Sequence, residues 1–452
     1  MNSRFGLSDD LIKRNIHKGE FGLEKESLRI DCNGFLSHTK HPIEEHRYIT
    51  RDFCENQIEL ITDVFDNVDD VLQHLKQLQT GVLQTLQQLE TGKELLWPFS
   101  NPPYVKGEED IPIAQFEEAQ QEKTQYRHYL AEKYGKRKML FSGIHLNYSF
   151  ADEMLKEGYR MLLSRKEKDG SQPAVSTYQS YKNDLYLQLA QKTTLYSWFI
   201  VYLTAASPVM DASFLFSFAD SAHEIWKEED LTGYASARCG ELGYWNDFTP
   251  VFNYQNLETY IQSIESYVQY GQLRSVSELY YPVRLKPRGE NSLKHLKEKG
   301  INHIELRMLD VNPLSPIGLM KEDIEFLHYF MLYLLGQENM ELTKEEQMNA
   351  IVNEKQAAKF DDSQVFIEGS NGNSKPIRQV ALEILQNMEE FYVSLGESAA
   401  LESIRYQKDK LLIPDNRYAD RIRRAYGCDY VKRGICLSDM YAKGLLANRT
   451  GT

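Results

Sequence analysis

Four short segments, far apart along the chain, alternate polar and apolar residues with a period of two. They are EFGLEKESLRI (20–30), NQIELIT (56–62), LFSGIHLNYSF (140–150) and INHIELRMLDV (301–311), each flanked by Gly, Asp or Pro. That spacing predicts strands with one apolar and one polar face. The polar faces carry acids or histidine. Glu24 and Glu26 stand two apart, so their carboxylates leave one face roughly 6–7 Å from each other. Glu59 shares its side with Gln57, His145 with Asn147, and Glu305 with Arg307. Asp52, beside Phe53, lies just upstream of the second segment.

Between these pieces the spacing of apolar residues predicts helices over 71–89, 113–134, 184–206, 257–270, 321–335, 345–359 and 377–395. Gly396 follows the last of them as a C-cap. Strands so widely separated must pair at long range, and no regular βαβ period is present. The pattern predicts an α+β fold, a sheet wrapped by helices. Residues 361–376, with Gly369 and Gly372 among Ser and Asn, read as a surface loop. The basic run 420–434 reads as a solvated helix face.

Charge and composition remove several classes of function. Lys plus Arg is 52 and Asp plus Glu is 66 in 452 residues, a formal net charge of -14. That balance argues against nucleic acid and against an anionic membrane surface. The longest strongly apolar stretch, LYSWFIVYLTAA (195–206), falls well short of the roughly 20 residues that span a bilayer. The first 22 residues hold no apolar run of a secretory signal. Five scattered cysteines without a C-x-x-C pair suit reduced thiols. These features predict a cytoplasmic protein.

A single outward Glu on a half-exposed strand needs no explanation, and a lone His in a strand is ordinarily a hydrogen-bonded core residue. Five carboxylates and a histidine on converging faces are different, because like charges so close destabilise a fold unless cations compensate. Oxygen-rich ligation with one imidazole suits Mg2+ or Mn2+ rather than zinc. Such cations point to phosphate chemistry, yet no P-loop and no G-x-G-x-x-G are present. GSNGNSK (369–375) has the wrong spacing. A triphosphate would then be held by metals and arginines. Arg307, Arg238, Arg127 and the basic run YYPVRLKPR, with Arg284, Lys286 and Arg288, are the available cations. A hydrolase using Glu24 and Glu26 as paired carboxylates is the rival reading. It leaves His145, Arg307 and the other acids without a role.

The blocks GLEKESLRI, RDFCENQIELIT, LLWPFSNPP, SGIHLNYSF, SELYYPVR and IELRMLDVNPLSPIG resemble, in this order, those of bacterial glutamate–cysteine ligases. The resemblance covers about residues 20–320, and the mainly helical 321–452 matches loosely. It implies one catalytic domain over 1–452, a free-standing ligase or a fragment of a bifunctional enzyme. It also implies a curved antiparallel sheet, a funnel like that of glutamine synthetase. On the matching motifs, the metal ligands would be Glu24, Glu26, Asp52, Glu59, His145 and Glu305. Arg307, Arg238 and Arg127 would face the phosphoryl group or the reaction intermediate. Phe53, Tyr126, Tyr244 and Tyr280 would form the acceptor pocket. The implied substrates are L-glutamate, L-cysteine and ATP, with Mg2+ or Mn2+ as cofactor. A γ-glutamyl ligase with another amine acceptor would look the same.

Overall fold

The computed structural model describes residues 5–43, 46–169, 176–215, 232–369 and 372–447. At its centre lies a seven-stranded antiparallel sheet. Its strands are β1 (Gly19–Asp31), β2 (Ile49–Arg51), β3 (Gln57–Ile61), β4 (Glu94–Leu96), β5 (Gly143–Phe150), β6 (Val283–Lys286) and β7 (His303–Asp310). They lie side by side in the order β2-β3-β1-β5-β7-β6, and β4 pairs with the far end of β1. The four segments marked by alternation are therefore the contiguous centre, β3-β1-β5-β7. The three additional strands have three or four residues each, too few to display a period of two.

Register carries the acids onto one face, because residues directly opposite in an antiparallel pair point the same way. Glu26 pairs with Glu59, Glu24 with His145, and Asn147 with Glu305. Between β5 and β7 the register shifts, so that Arg307 and Met308 together stand against His145. A bulge of this kind turns a side chain away from the regular pleat.

The opposite face is closed by the helix Val68–Gln87. Asn67 caps it by accepting the Asp70 N–H at 2.8 Å. Its stripe of Val71, Leu75, Leu78, Val82 and Leu86 is buried, each side chain contributing about 1.5–3 kcal/mol. Lys25 points to this side, almost wholly buried, with its Nζ donating to Gln79 Oε1 at 2.5 Å.

Four segments differ from the sequence reading. The helix expected over 113–134 begins only at Gln121. Upstream, Ala114 N–H bonds to the Phe53 carbonyl and Gln115 N–H to Glu55 Oε2, which holds that stretch extended beside residues 53–55. The helix expected over 184–206 is two, Tyr178–Leu195 and Ser197–Thr204, interrupted at Tyr196. A Thr177–Ser180 capping box starts the first of them early. Residues 361–376 contain a hairpin, β8 (Phe366–Glu368) and β9 (Ser374–Pro376), and Val365 and Ile367 beside it are buried. Gly372, at φ +72°, supplies the left-handed residue of its turn. The basic run is not a simple solvated face. It forms the end of Tyr418–Tyr426 and the start of Tyr430–Ala447, broken where Asp429 takes φ 55°. Tyr430 packs edge-on to Trp97 and Phe99, with ring centroids at 5.4 and 4.9 Å. Among the described residues no helix is long and apolar enough to cross a membrane.

Candidate active site

The acidic face of the sheet is the floor of a cavity of about 800 Å³. Every metal-ligand, arginine and acceptor-pocket candidate named above lines this one cavity, as do Arg284 and Lys286 of the basic run, whereas Arg288 is exposed outside it. Its centre is a triad from three adjacent strands. Glu24, His145 and Glu305 each offer a ligand atom, all lying within 4.8 Å of one another. His145 Nδ1 is 3.2 Å from Glu24 Oε2 and 3.7 Å from Glu305 Oε1. Glu26 Oε1 approaches His145 Nε2 at 4.0 Å, and its other oxygen accepts the Gly143 N–H at 2.7 Å. Glu59, across from Glu26, and Asp52, in the turn after β2, are close enough to repel it electrostatically.

The electrostatics of this floor are unbalanced. Burial and the nearby Asp52 push Glu26 up to about 8. Burial, Asp52, Glu24 and Glu26 raise Glu59 well above the usual carboxylate range. At Glu305 burial acts in the same direction, but Arg307, Lys286 and Arg284 overcome it and hold the carboxyl well below its ordinary value. Burial would also raise Glu24, but the hydrogen bond and electrostatic pull of His145 together with Lys286 outweigh it and hold the carboxyl below its ordinary value. Burial and then Arg307 lower His145, leaving a neutral imidazole with a lone pair to donate. Glu305 Oε2 is buried without a hydrogen-bond partner. Under-compensated carboxylates, an open carboxylate oxygen and one neutral imidazole form a donor set that fits a hard divalent cation.

The arginines behave differently from one another. Arg307 Nη1 lies 3.0 Å from Glu305 Oε1 and 3.4 Å from His145 Nδ1, at the heart of the floor. Arg238 donates to the carbonyls of Arg307 at 2.7 Å and Leu309 at 3.3 Å. Its turn is fastened in place by Asp310, which accepts from Ser207 and Ser236. Arg127 donates to the carbonyls of Asp52, Arg51 and its own helix's Lys123, and stacks on Phe116. In this structure Arg238 and Arg127 hold the backbone that carries Arg307 and Asp52.

Aromatic residues line the cavity wall. Tyr126 and Tyr129 stack, and Tyr134 meets Tyr244 edge-on at 4.8 Å. Behind them the fully buried Glu278 accepts from Tyr134 Oη, Tyr129 Oη and Lys133 Nζ, and from the Arg274 N–H. Phe53 is buried. Sequence reasoning named Lys286 only among the cations of a basic run, and passed over Gly143, Glu278 and Glu354. Lys286 places Nζ 3.4 Å from Glu305 Oε1. Gly143 leaves the space that the Arg238 guanidinium fills. Glu278 and Glu354 carry no sequence signal, since each resembles any other helix or turn acid.

The fold and this floor define an α+β domain whose central sheet gathers carboxylates and a histidine at the base of one cavity. A sequence profile described as glutamate-cysteine ligase matches residues 6–276 and 269–357. The bifunctional glutathione biosynthesis protein GshAB of Listeria monocytogenes is 35% identical over 92% of this chain and 53% of its own length. The glutamate–cysteine ligase of Clostridium acetobutylicum is 30% identical over 84% of this chain and 85% of its own. The chain belongs to the glutamate–cysteine ligase family. It spans about half the length of the bifunctional relatives it matches. A crystal structure of a bifunctional glutathione synthetase from Pasteurella multocida superposes with a TM-score of 0.79 at 26% identity, covering 97% of this chain and 54% of that one. The glutamate–cysteine ligase of Francisella tularensis, solved with AMP, has the same fold, with a TM-score of 0.80 at 22% identity.

Proposed function

We propose that this chain, acting as one catalytic unit, joins the γ-carboxylate of L-glutamate to the amine of L-cysteine at the expense of ATP. The products are γ-glutamylcysteine, ADP and phosphate. The observation that carries the reading is the convergence of Glu24, His145 and Glu305 within 4.8 Å on the cavity floor, with Arg307 and Lys286 on the same carboxylate. Glu24, Glu26, Asp52, Glu59, His145 and Glu305 would hold Mg2+ or Mn2+. A cation held by these residues would supply neutralisation of the triphosphate charge and of the charge that develops in phosphoryl transfer.

A carboxylate is a poor acyl donor, so the γ-carboxylate is first phosphorylated and the amine then displaces phosphate. Arg307 offers a planar fork to the transferring phosphoryl group and later to the oxyanion of the tetrahedral intermediate. Lys286 adds a second positive charge beside it. Arg238 and Arg127 keep the Arg307 and Asp52 backbones at fixed height over the floor, which preserves alignment between the substrates. Phe53, Tyr126, Tyr244 and Tyr280 form the wall against which the cysteine side chain packs, shielding the acyl phosphate from water. A reducing, cytoplasmic setting suits the five unpaired cysteines.

The test is phosphate release from ATP with glutamate and a panel of amines, with and without divalent metal. Cysteine should be the preferred acceptor, and Glu305→Gln should abolish turnover while the protein stays folded. Turnover without metal, or near-normal turnover in E305Q, would overturn the assignment. Preference for another amine would overturn only the acceptor.

A further inference from the structure

One wall of the cavity holds a carboxylate that the chemistry above leaves unused. Glu354, on the helix Lys344–Ala357, lines the cavity and is only 2% exposed. Its Oε2 has no hydrogen-bond partner. Ser197 Oγ neighbours its carboxylate, and Tyr281 Oη, itself beside Thr194 Oγ1, faces it; all three hydroxyls are buried. Among the described residues no lysine or arginine pairs with Glu354. Lys355 turns to Glu241 at 3.1 Å, and the Arg238 guanidinium is directed to the carbonyls of β7. Burial accordingly raises the Glu354 carboxyl to about 7, against the pull of Ser197, Arg238 and Lys355.

A buried carboxylate without a cation is costly, and at the edge of a substrate cavity it marks a place for a positively charged ligand. One carboxylate and neutral hydroxyls are too few anionic oxygens for a divalent metal. They suit an ammonium group, which presents three N–H donors to a carboxylate and hydroxyl oxygens. Two amines enter the proposed reaction. The acceptor's amine must be neutral to attack, so a carboxylate that stabilised its charged form would oppose catalysis. The donor's α-ammonium stays charged throughout.

We propose that Glu354, with the hydroxyls of Ser197 and Tyr281, holds the α-ammonium group of the amino-acid donor. This inference rests on the ligase reading. Anchoring that end of glutamate leaves the γ-carboxyl as the one directed to the metal-binding floor. It makes Glu354 a determinant of specificity for an α-amino dicarboxylate over a plain one.

The experiment compares glutamate with glutarate, which lacks the α-amine, in binding followed by thermal shift and in ligation to cysteine. In the wild type glutarate should bind about 30-fold more weakly, the worth of one charge-assisted contact. Glu354→Gln should raise KM for glutamate by about the same factor. It should leave KM for cysteine and ATP within about twofold and bring glutamate and glutarate close to parity. Equal wild-type affinity for the two acids would overturn the proposal, as would an unchanged glutamate KM in E354Q. A parallel rise in all three KM values would also overturn it, because a recess that only orders water or structure affects every substrate alike. If E354Q does not fold, the wild-type comparison decides alone. Absence of glutamate–cysteine ligation in the wild type would refute the ligase reading, and the thermal-shift comparison would still report on Glu354.

Discussion

Gly143→Ala is the smallest change that tests how the floor is assembled. A methyl group at this position would fall inside the Arg238 guanidinium. At a residue of β5 with ordinary strand geometry, a Gly to Ala change otherwise stabilises by about 0.4–1 kcal/mol through the unfolded chain. Here the guanidinium must leave, and it loses its bonds to the carbonyls of Arg307 at 2.7 Å and Leu309 at 3.3 Å. Each such charged hydrogen bond contributes about 1.5–3 kcal/mol, and water recovers part of the loss, so the net cost should be about 2–4 kcal/mol. Urea unfolding measures it directly. In an Arg238→Ala background the collision is gone, so G143A should cost less than about 1 kcal/mol there, a coupling that a double-mutant cycle isolates. Released from Arg238, the Arg307 backbone should also lose its alignment, lowering kcat by at least about tenfold. Stability within about 0.5 kcal/mol of wild type, or equal cost in both backgrounds, would refute the argument.

The acids of the floor give a pH signature. Glu26 titrates near 8 in the fold against 4.5 as a free side chain. Between those values the folded chain holds a proton that the unfolded chain has released, so metal-free stability falls as pH rises through that window. The melting temperature in EDTA should decline accordingly, Glu26→Gln should flatten the decline, and Mg2+ or Mn2+ should offset it; identical slopes in both proteins would contradict this. Arg307→Lys keeps the charge but loses the planar fork, and kcat should drop by about 10²-fold with little change in melting temperature. An unchanged kcat would remove Arg307 from the phosphoryl site. At the far end of β1, fully buried Arg29 pairs with Glu94 at 2.7 Å. Glu94→Ala leaves that guanidinium uncompensated and should cost about 3–5 kcal/mol in urea unfolding. Wild-type stability would show that Thr39 and the neighbouring carbonyls alone suffice.

Much of the site was legible because its residues obey a local rule. In a strand, alternate residues share a face, so Glu24 with Glu26 and Glu305 with Arg307 could be paired from spacing alone. Other features follow no local rule. Glu354 sits in NEKQAAKF, a sequence that reads as an exposed helix, and is buried because that helix packs against Ser197–Thr204. Residues 113–117 have helical spacing and stay extended because the Phe53 carbonyl and the Glu55 carboxylate accept the N–H groups of Ala114 and Gln115. Tyr430 lies in a basic run and is drawn inward by Trp97 and Phe99.

By itself the sequence determined which side chains could share a face, since pleat and helix periods are properties of the chain over a few residues. It determined the excess of acid, the absence of a phosphate-binding loop and the blocks shared with glutamate–cysteine ligases. The tertiary structure alone decided that β3, β1, β5 and β7 stand in that order. It decided the register that sets Glu24 against His145, and the bulge that sets Arg307 against His145. Those outcomes depend on hydrogen bonds and burial between segments more than a hundred residues apart, as Glu24 is from His145 and Asn147 from Glu305, for which no local pattern exists.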